Sequence, residues 1–157
     1  MNSIDIIEEI IAKFTESKIT LAIAESCTGG YISNMITNIP GASKVFERGI
    51  ICYSNLSKIT LLNINPKDIN QYGAVSEIVA KHLANNIRIL SNVTIGIGIT
   101  GIAGPTGGTL EKPVGLVFIG FSTQKETIVK KYQFNVNRII FKEKVLEKLL
   151  TLLQSYK

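Results

Sequence analysis

Apolar, β-branched runs of six to nine residues recur along this chain and alternate with stretches of helical spacing. That alternation restricts the fold most, because every such run must be buried and the helices are what is available to cover it. Five runs read as strands: 19–24 (ITLAIA), 46–54 (FERGIICYS), 93–100 (VTIGIGIT), 114–122 (VGLVFIGFS) and 127–134 (TIVKKYQF). A first helix is expected over 4–17, capped by Ser3, with Ile6, Ile7, Ile10, Ile11 and Phe14 on one face. A second is expected over 28–38, ended by Pro40 and Gly41, and a short third over 55–62. Pro66 opens a further turn, Ser76 caps a helix reaching residue 90, and an amphipathic helix closes the chain over 138–154. The stretch 101–113 (GIAGPTGGTLEKP) reads as a loop. Helices and strands alternate early and a strand pair comes late. The expected fold is α/β: a three-layer α/β/α sandwich with a mixed, mostly parallel five-stranded sheet, in one domain of residues 1–157. Ligands of such sheets sit beyond the C-terminal strand ends, which the segments 24–30 and 101–113 both occupy. The two segments are expected to face one another.

Composition excludes several classes. A chain of 157 residues with 45% hydrophobic and 18% charged residues can bury a full core without disulfide or metal staples. No apolar run reaches the length of a membrane span, and the acidic start MNSIDIIEEI lacks the basic and apolar segments of a signal peptide. Cys27 and Cys52 make no disulfide framework and read as reduced thiols of a cytoplasmic protein. The net charge of +5 suits either nucleic acid or an anionic small substrate. The lysines scatter, however, with four of them between Lys142 and Lys157, and no stacking platform accompanies them, so nucleic acid ranks last.

Several motifs fail on context. GIGITG (96–101) matches the dinucleotide fingerprint letter for letter, but it lies within a strand and leads into a loop instead of opening a helix. No phosphate-binding P-loop, zinc-type Cys/His spacing or paired glycosidase carboxylates occur. His82 is the single histidine and falls in a helix, which removes a Ser-His-Asp triad unless it is the base.

What survives is AESCTGG (24–30), with Ser26, Cys27 and Thr28 side by side at a strand-to-helix turn. A nucleophile there gains from backbone amides and the positive helix end, and Gly29 and Gly30 clear side chains from the path of a substrate. Ser26 is either that nucleophile or only a helix cap. Cys27 would be the stronger nucleophile but, one residue along, should point elsewhere. Thr28 suits a cap or an oxyanion neighbour. With no suitable histidine, a serine needs a lysine base, whose pKa must fall from near 10.4 to roughly 7–8. YSNLSK places Tyr53 at a strand end and Lys58 a helical turn beyond. Glu25 paired with Lys58 would raise that pKa and oppose the role. Arg48, inside an apolar run, needs either a partner such as Glu47 or a ligand.

Four ordered blocks, AESCTGG, FERGIICYSNLSK, YGAVSE and GITGIAGPTGG with KPVG, closely resemble the C-terminal domain of the competence-damage-inducible protein CinA. That family includes stand-alone nicotinamide-nucleotide amidohydrolases (PncC-type, NMN deamidases). The resemblance implies hydrolysis of nicotinamide mononucleotide to nicotinate mononucleotide and ammonia in pyridine nucleotide recycling. It implies a Ser-Lys pair with an assisting Tyr, here Ser26, Lys58 and Tyr53. Substrate binding would fall to Thr28, Gly29, Gly30, Arg48, Gly104, Thr106, Gly107, Gly108 and Arg138. No metal or organic cofactor is implied, and the assembly would be a homodimer or larger homo-oligomer. The larger CinA proteins carry a further N-terminal domain resembling molybdopterin-binding proteins, which lies outside these 157 residues. One block departs: where relatives often read GDR with an arginine four residues on, this chain reads NVNRIIFK, with Val136-Asn137 before Arg138 and Lys142 in the second arginine's place. That departure also admits a weakened nucleotide-binding or protein-interaction domain.

Overall fold

The computed structural model describes residues 2–157. Helix α1 (Ser3–Glu16) leads into β1 (Leu21–Glu25), followed by α2 (Tyr31–Thr37), β2 (Phe46–Ile51), α3 (Asn55–Leu62), α4 (Pro66–Tyr72) and α5 (Glu77–Ser91). Strands β3 (Ile95–Gly101), β4 (Leu116–Ser122) and β5 (Thr127–Gln133) come next, and α6 (Arg138–Ser155) ends the chain. The sheet order is β2-β1-β3-β4-β5. β1 pairs in parallel with β2 and β3, while β4 runs antiparallel to both β3 and β5. Four strands therefore share one direction and β4 opposes them, as the sequence leads one to expect.

Residue alternation builds the two faces. Leu21, Ile23, Ile95, Ile97, Ile99, Val117 and Ile119 point into one core, where α1, α2 and α6 cover them. Ala22 and Ala24 point the other way, under α3, α4 and α5. On that second face Gly98 pairs with Ala24 on one side and Gly120 on the other. A Cβ on Gly98 would lie 2.6 Å from the Ala80 carbonyl oxygen of α5. Gly96 and Gly98 of GIGITG are thus spent on bringing α5 down onto the sheet, which is why the dinucleotide reading fails.

Local chemistry moves several boundaries. The cap of α1 is Asn2, not Ser3: its side chain accepts from the Asp5 N–H at 3.0 Å, and Asp5 accepts from the Asn2 N–H at 3.3 Å. This reciprocal box satisfies two helix-end donors, and Ser3 becomes the first helical residue. α2 begins at Tyr31 and not near 28, because Gly30, at φ 94°, forms a left-handed N-terminal boundary. β2 stops at Ile51, since the chain must turn toward Ser54, the cap of α3. A single 3-10 turn, Ala42–Lys44, follows Gly41. No helix among the described residues is long and apolar enough to cross a membrane.

Candidate active site

Three strand ends meet at the C-terminal side of β1. The Ser26 N–H donates to the Ile99 carbonyl at 3.1 Å, which continues the β1–β3 ladder one residue past the strand. On the other side the Cys52 N–H donates to the Glu25 carbonyl at 2.8 Å, holding the end of β2 beside β1. Ser54 then caps α3 by accepting from the Ser57 N–H at 3.0 Å. Lys58 follows in the first turn, and its side chain folds back under the strand ends, where only 2% of it stays exposed.

The Lys58 amine sits among three oxygens. Nζ lies 2.9 Å from Ser26 Oγ, 2.9 Å from the Cys52 carbonyl oxygen and 3.1 Å from the Tyr53 carbonyl oxygen. A carbonyl can only accept, so each consumes one N–H. A neutral amine has two N–H groups and one lone pair. The two carbonyls therefore use both hydrogens and leave the lone pair for the Ser26 hydroxyl. Burial lowers the Lys58 pKa, opposed by smaller effects of the Cys52 and Cys27 thiols. No carboxylate lies within salt-bridge distance of Lys58; among the described residues the ion pairs are His82–Asp68 and Lys144–Glu147.

Glu25 is occupied elsewhere. Its carboxylate is fully buried and accepts from the N–H groups of Gly30 (3.0 Å), Ile32 (3.2 Å) and Ser33 (2.7 Å) and from the Ser33 hydroxyl (2.6 Å). Four donors and the positive end of α2 offset the cost of burying the charge. The amides near Thr28-Gly29-Gly30, which the sequence offers for an oxyanion, are partly engaged already. The Gly30 amide serves Glu25, and the Gly29 amide donates to the Ser26 carbonyl at 3.1 Å. Between Ser26 and Ser33 the amides of Cys27 and Thr28 are left without a protein acceptor among the described residues.

The cavity above Ser26 measures about 340 Å³. Ser26 and Cys27 form one wall, with Gly101 through Gly104, Thr106 and Gly107 opposite, so the two segments do face each other. Tyr53, Lys58 and Arg138 also line it. Of the residues expected at the site, Thr28, Gly29, Gly30, Arg48 and Gly108 stand outside this lining. Thr28 is fully buried with its hydroxyl unpartnered. Arg48 lies back along the edge strand β2, level with Ala22, and takes part in none of the ion pairs among the described residues. A Cβ on Gly108 would meet the Val114 N–H, so it serves the return of its own loop.

Tyr53 and Arg138 are placed differently from a simple relay and phosphate ligand. Arg138 donates from Nη1 to the Gly104 carbonyl at 3.0 Å and from Nη2 to the Tyr53 hydroxyl at 2.9 Å. Tyr53 supports Lys58 through its backbone carbonyl, while its phenol reaches across the mouth. Thr100 and Asn55 also line the cavity without having been singled out. Thr100 follows the strand pattern, and its hydroxyl donates to the Ala74 carbonyl at 2.8 Å. No periodic signal distinguishes either residue from an ordinary strand or helix position.

Burial pushes the Cys27 thiol up to about 12 and the Cys52 thiol to about 11. Both stay protonated near neutrality, which argues against a thiolate nucleophile. Among the described residues no three His, Cys, Asp or Glu side chains are gathered to hold a metal ion.

The lowered Lys58 pKa has a stability consequence with a definite sign. The unfolded chain binds the Lys58 proton more tightly than the folded one. Stability therefore rises as pH climbs through the folded pKa toward 10.5 and is lower below that window. Denaturant titrations of the wild type and Lys58→Met across this range should show the variant missing that part of the rise. Identical pH slopes would mean that Lys58 is not the group responsible.

The family model for the CinA C-terminal domain matches residues 4–157. A protein of Thermoanaerobacter sp. (strain X514), named for competence-damage induction, is 49% identical over 132 residues, covering 83% of this chain and 32% of its own length. The CinA-like protein of Syntrophus aciditrophicus (strain SB) is 47% identical over 125 residues, covering 80% of this chain and 30% of that one. The chain thus spans about a third of the length of these curated relatives. Among solved structures, the competence/damage inducible protein CihA from Agrobacterium tumefaciens superposes with a TM-score of 0.94 at 31% identity, over 99% of this chain and 96% of that one. These names speak of competence and damage and name no reaction.

Proposed function

From the premise that this chain belongs to the CinA C-terminal domain family, we propose that it is a serine amidohydrolase that releases ammonia from the carboxamide of nicotinamide mononucleotide. The observation that carries the reading is the 2.9 Å approach of the Lys58 amine to Ser26 Oγ, with the Cys52 and Tyr53 carbonyls placed to take both hydrogens of the neutral amine. Neutral Lys58 takes the hydroxyl proton as Ser26 Oγ bonds to the carboxamide carbon. The Cys27 amide, in the cavity wall, receives the oxyanion, a contribution of roughly 3–4 kcal/mol for such a donor in comparable sites. As the C–N bond breaks, the Lys58 ammonium returns that proton to the departing nitrogen, which leaves as ammonia. Water, deprotonated by the neutral amine, then cleaves the Ser26 ester and releases the carboxylate product. Arg138 stands at the mouth, where an anionic phosphate tail would emerge.

The choice of substrate rests on the resemblance, and an assay decides it. Purified protein incubated with nicotinamide mononucleotide should release ammonia and nicotinate mononucleotide in equal amounts. Cys27→Ala should keep at least about a third of that activity, because its thiol is protonated and makes no bond to Lys58. An inactive Cys27→Ala that folds normally would move the nucleophile to the thiol. Tight nucleotide binding with no ammonia from the wild type would favour a binding domain that has kept the pocket.

A further inference from the structure

Arg138 links three segments that each line the cavity: the start of α6, the loop after β3 through Gly104, and the loop after β2 through Tyr53. It has no carboxylate partner among the described residues. Tyr53 is 58% exposed, so little packing fixes its ring, and the hydrogen bond from Arg138 is the one its hydroxyl makes. A guanidinium can only donate. The phenol oxygen must therefore accept from Arg138, and its own proton points away from the guanidinium and stays free.

We propose that Arg138 is a positioning residue for Tyr53: it holds the phenol at the cavity mouth with its O–H turned toward bound substrate, beyond any contact Arg138 makes with an anionic tail. The inference rests on the amidohydrolase reading above. In that reaction the phenol donates a hydrogen bond to the amide nitrogen as it leaves. The proton that completes ammonia still comes from Lys58, which took it from Ser26, so the phenol keeps its own and the count closes. Lys58 and Arg138 together grip Tyr53 at both ends, by its carbonyl at 3.1 Å and by its hydroxyl at 2.9 Å.

Two substrates separate positioning from phosphate binding: nicotinamide mononucleotide and its dephosphorylated nucleoside, which carries the same amide. Arg138→Met should lower kcat for the mononucleotide by roughly tenfold to a hundredfold, the scale expected when a proton-donating group is misplaced. Tyr53→Phe should lower it by a similar factor, and the double variant should be no slower than the worse single one, because both remove the same hydrogen bond. Whatever low nucleoside turnover the wild type shows should fall by the same factor in Arg138→Met. Arg138→Lys, which keeps the charge but not the two-armed reach, should recover KM for the mononucleotide and leave kcat low. If Arg138→Met raises only KM and leaves kcat at the wild-type value, or if the losses in the double variant multiply, the positioning role is overturned while the amidohydrolase reading stands. An inactive wild type would instead remove the amidohydrolase reading, and this role with it. The fold should survive all three changes, since both side chains are largely exposed, and circular dichroism melts would verify that.

Discussion

Ser26→Ala is expected to reduce carboxamide turnover by at least about a thousandfold while nucleotide binding stays near the wild-type level. Ser26 Oγ is the side-chain oxygen that touches the Lys58 amine, at 2.9 Å. Two observations argue against its neighbours as nucleophiles: burial holds the Cys27 thiol protonated, and Thr28 stands outside the cavity. Lys58→Met should lose as much, since Lys58 is the one titratable side chain among the described residues that hydrogen-bonds Ser26 Oγ. The two residues act as a unit, so the double variant should be no slower than either single one. Losses that multiply would mean that Ser26 and Lys58 contribute independently, and the pair would have to be abandoned. Binding can be followed by calorimetry with the intact nucleotide, because neither variant turns it over.

The second large effect concerns the fold. Gly98→Val is expected to destabilise the protein by about 3 kcal/mol or more, a fall in melting temperature of about 10 °C for a chain of this size. A Cβ at Gly98 would lie 2.6 Å from the Ala80 carbonyl oxygen and 2.6 Å from Leu83 Cβ. The carbonyl belongs to the backbone of α5 and cannot rotate away; the helix would have to lift off β1, β3 and β4 together. Gly41→Ala offers the contrast. Its Cβ would meet nothing within 4 Å, so its cost comes only from φ 88° and should stay at about 1–2 kcal/mol. Equal losses at the two positions would show that conformation, and not the close approach of α5, makes Gly98 necessary.

The architecture was legible in the sequence because it depends on period. Runs such as ITLAIA and VGLVFIGFS read as strands by their shortness and β-branched or aromatic content, and α3 begins and ends at the residues expected, 55 and 62. Caps were less legible. Asn2 and Ser3 are both good caps, and what decides between them is Asp5, whose carboxylate reaches the Asn2 amide and closes the box. The Ser26–Lys58 pair was visible as residue types, with Ser26 at a strand end and Lys58 one turn into a helix. Glu25, by contrast, gave no sign of its task. Its buried carboxylate takes the Gly30 amide, one of those expected near an oxyanion, together with the Ile32 and Ser33 amides of α2.

By itself the sequence determined the alternation of elements, the two faces of each strand, and which hydroxyl and which amine stand near strand ends. These follow from spacing along the chain, which is local. Only the tertiary structure decided that the Lys58 amine lies among Ser26 Oγ and the Cys52 and Tyr53 carbonyls, that Arg138 reaches Tyr53 across 85 residues of chain, and that five of the expected binding residues stand outside the cavity. Those outcomes depend on how far a side chain reaches once the sheet has brought distant segments together, and periodicity carries no record of that distance.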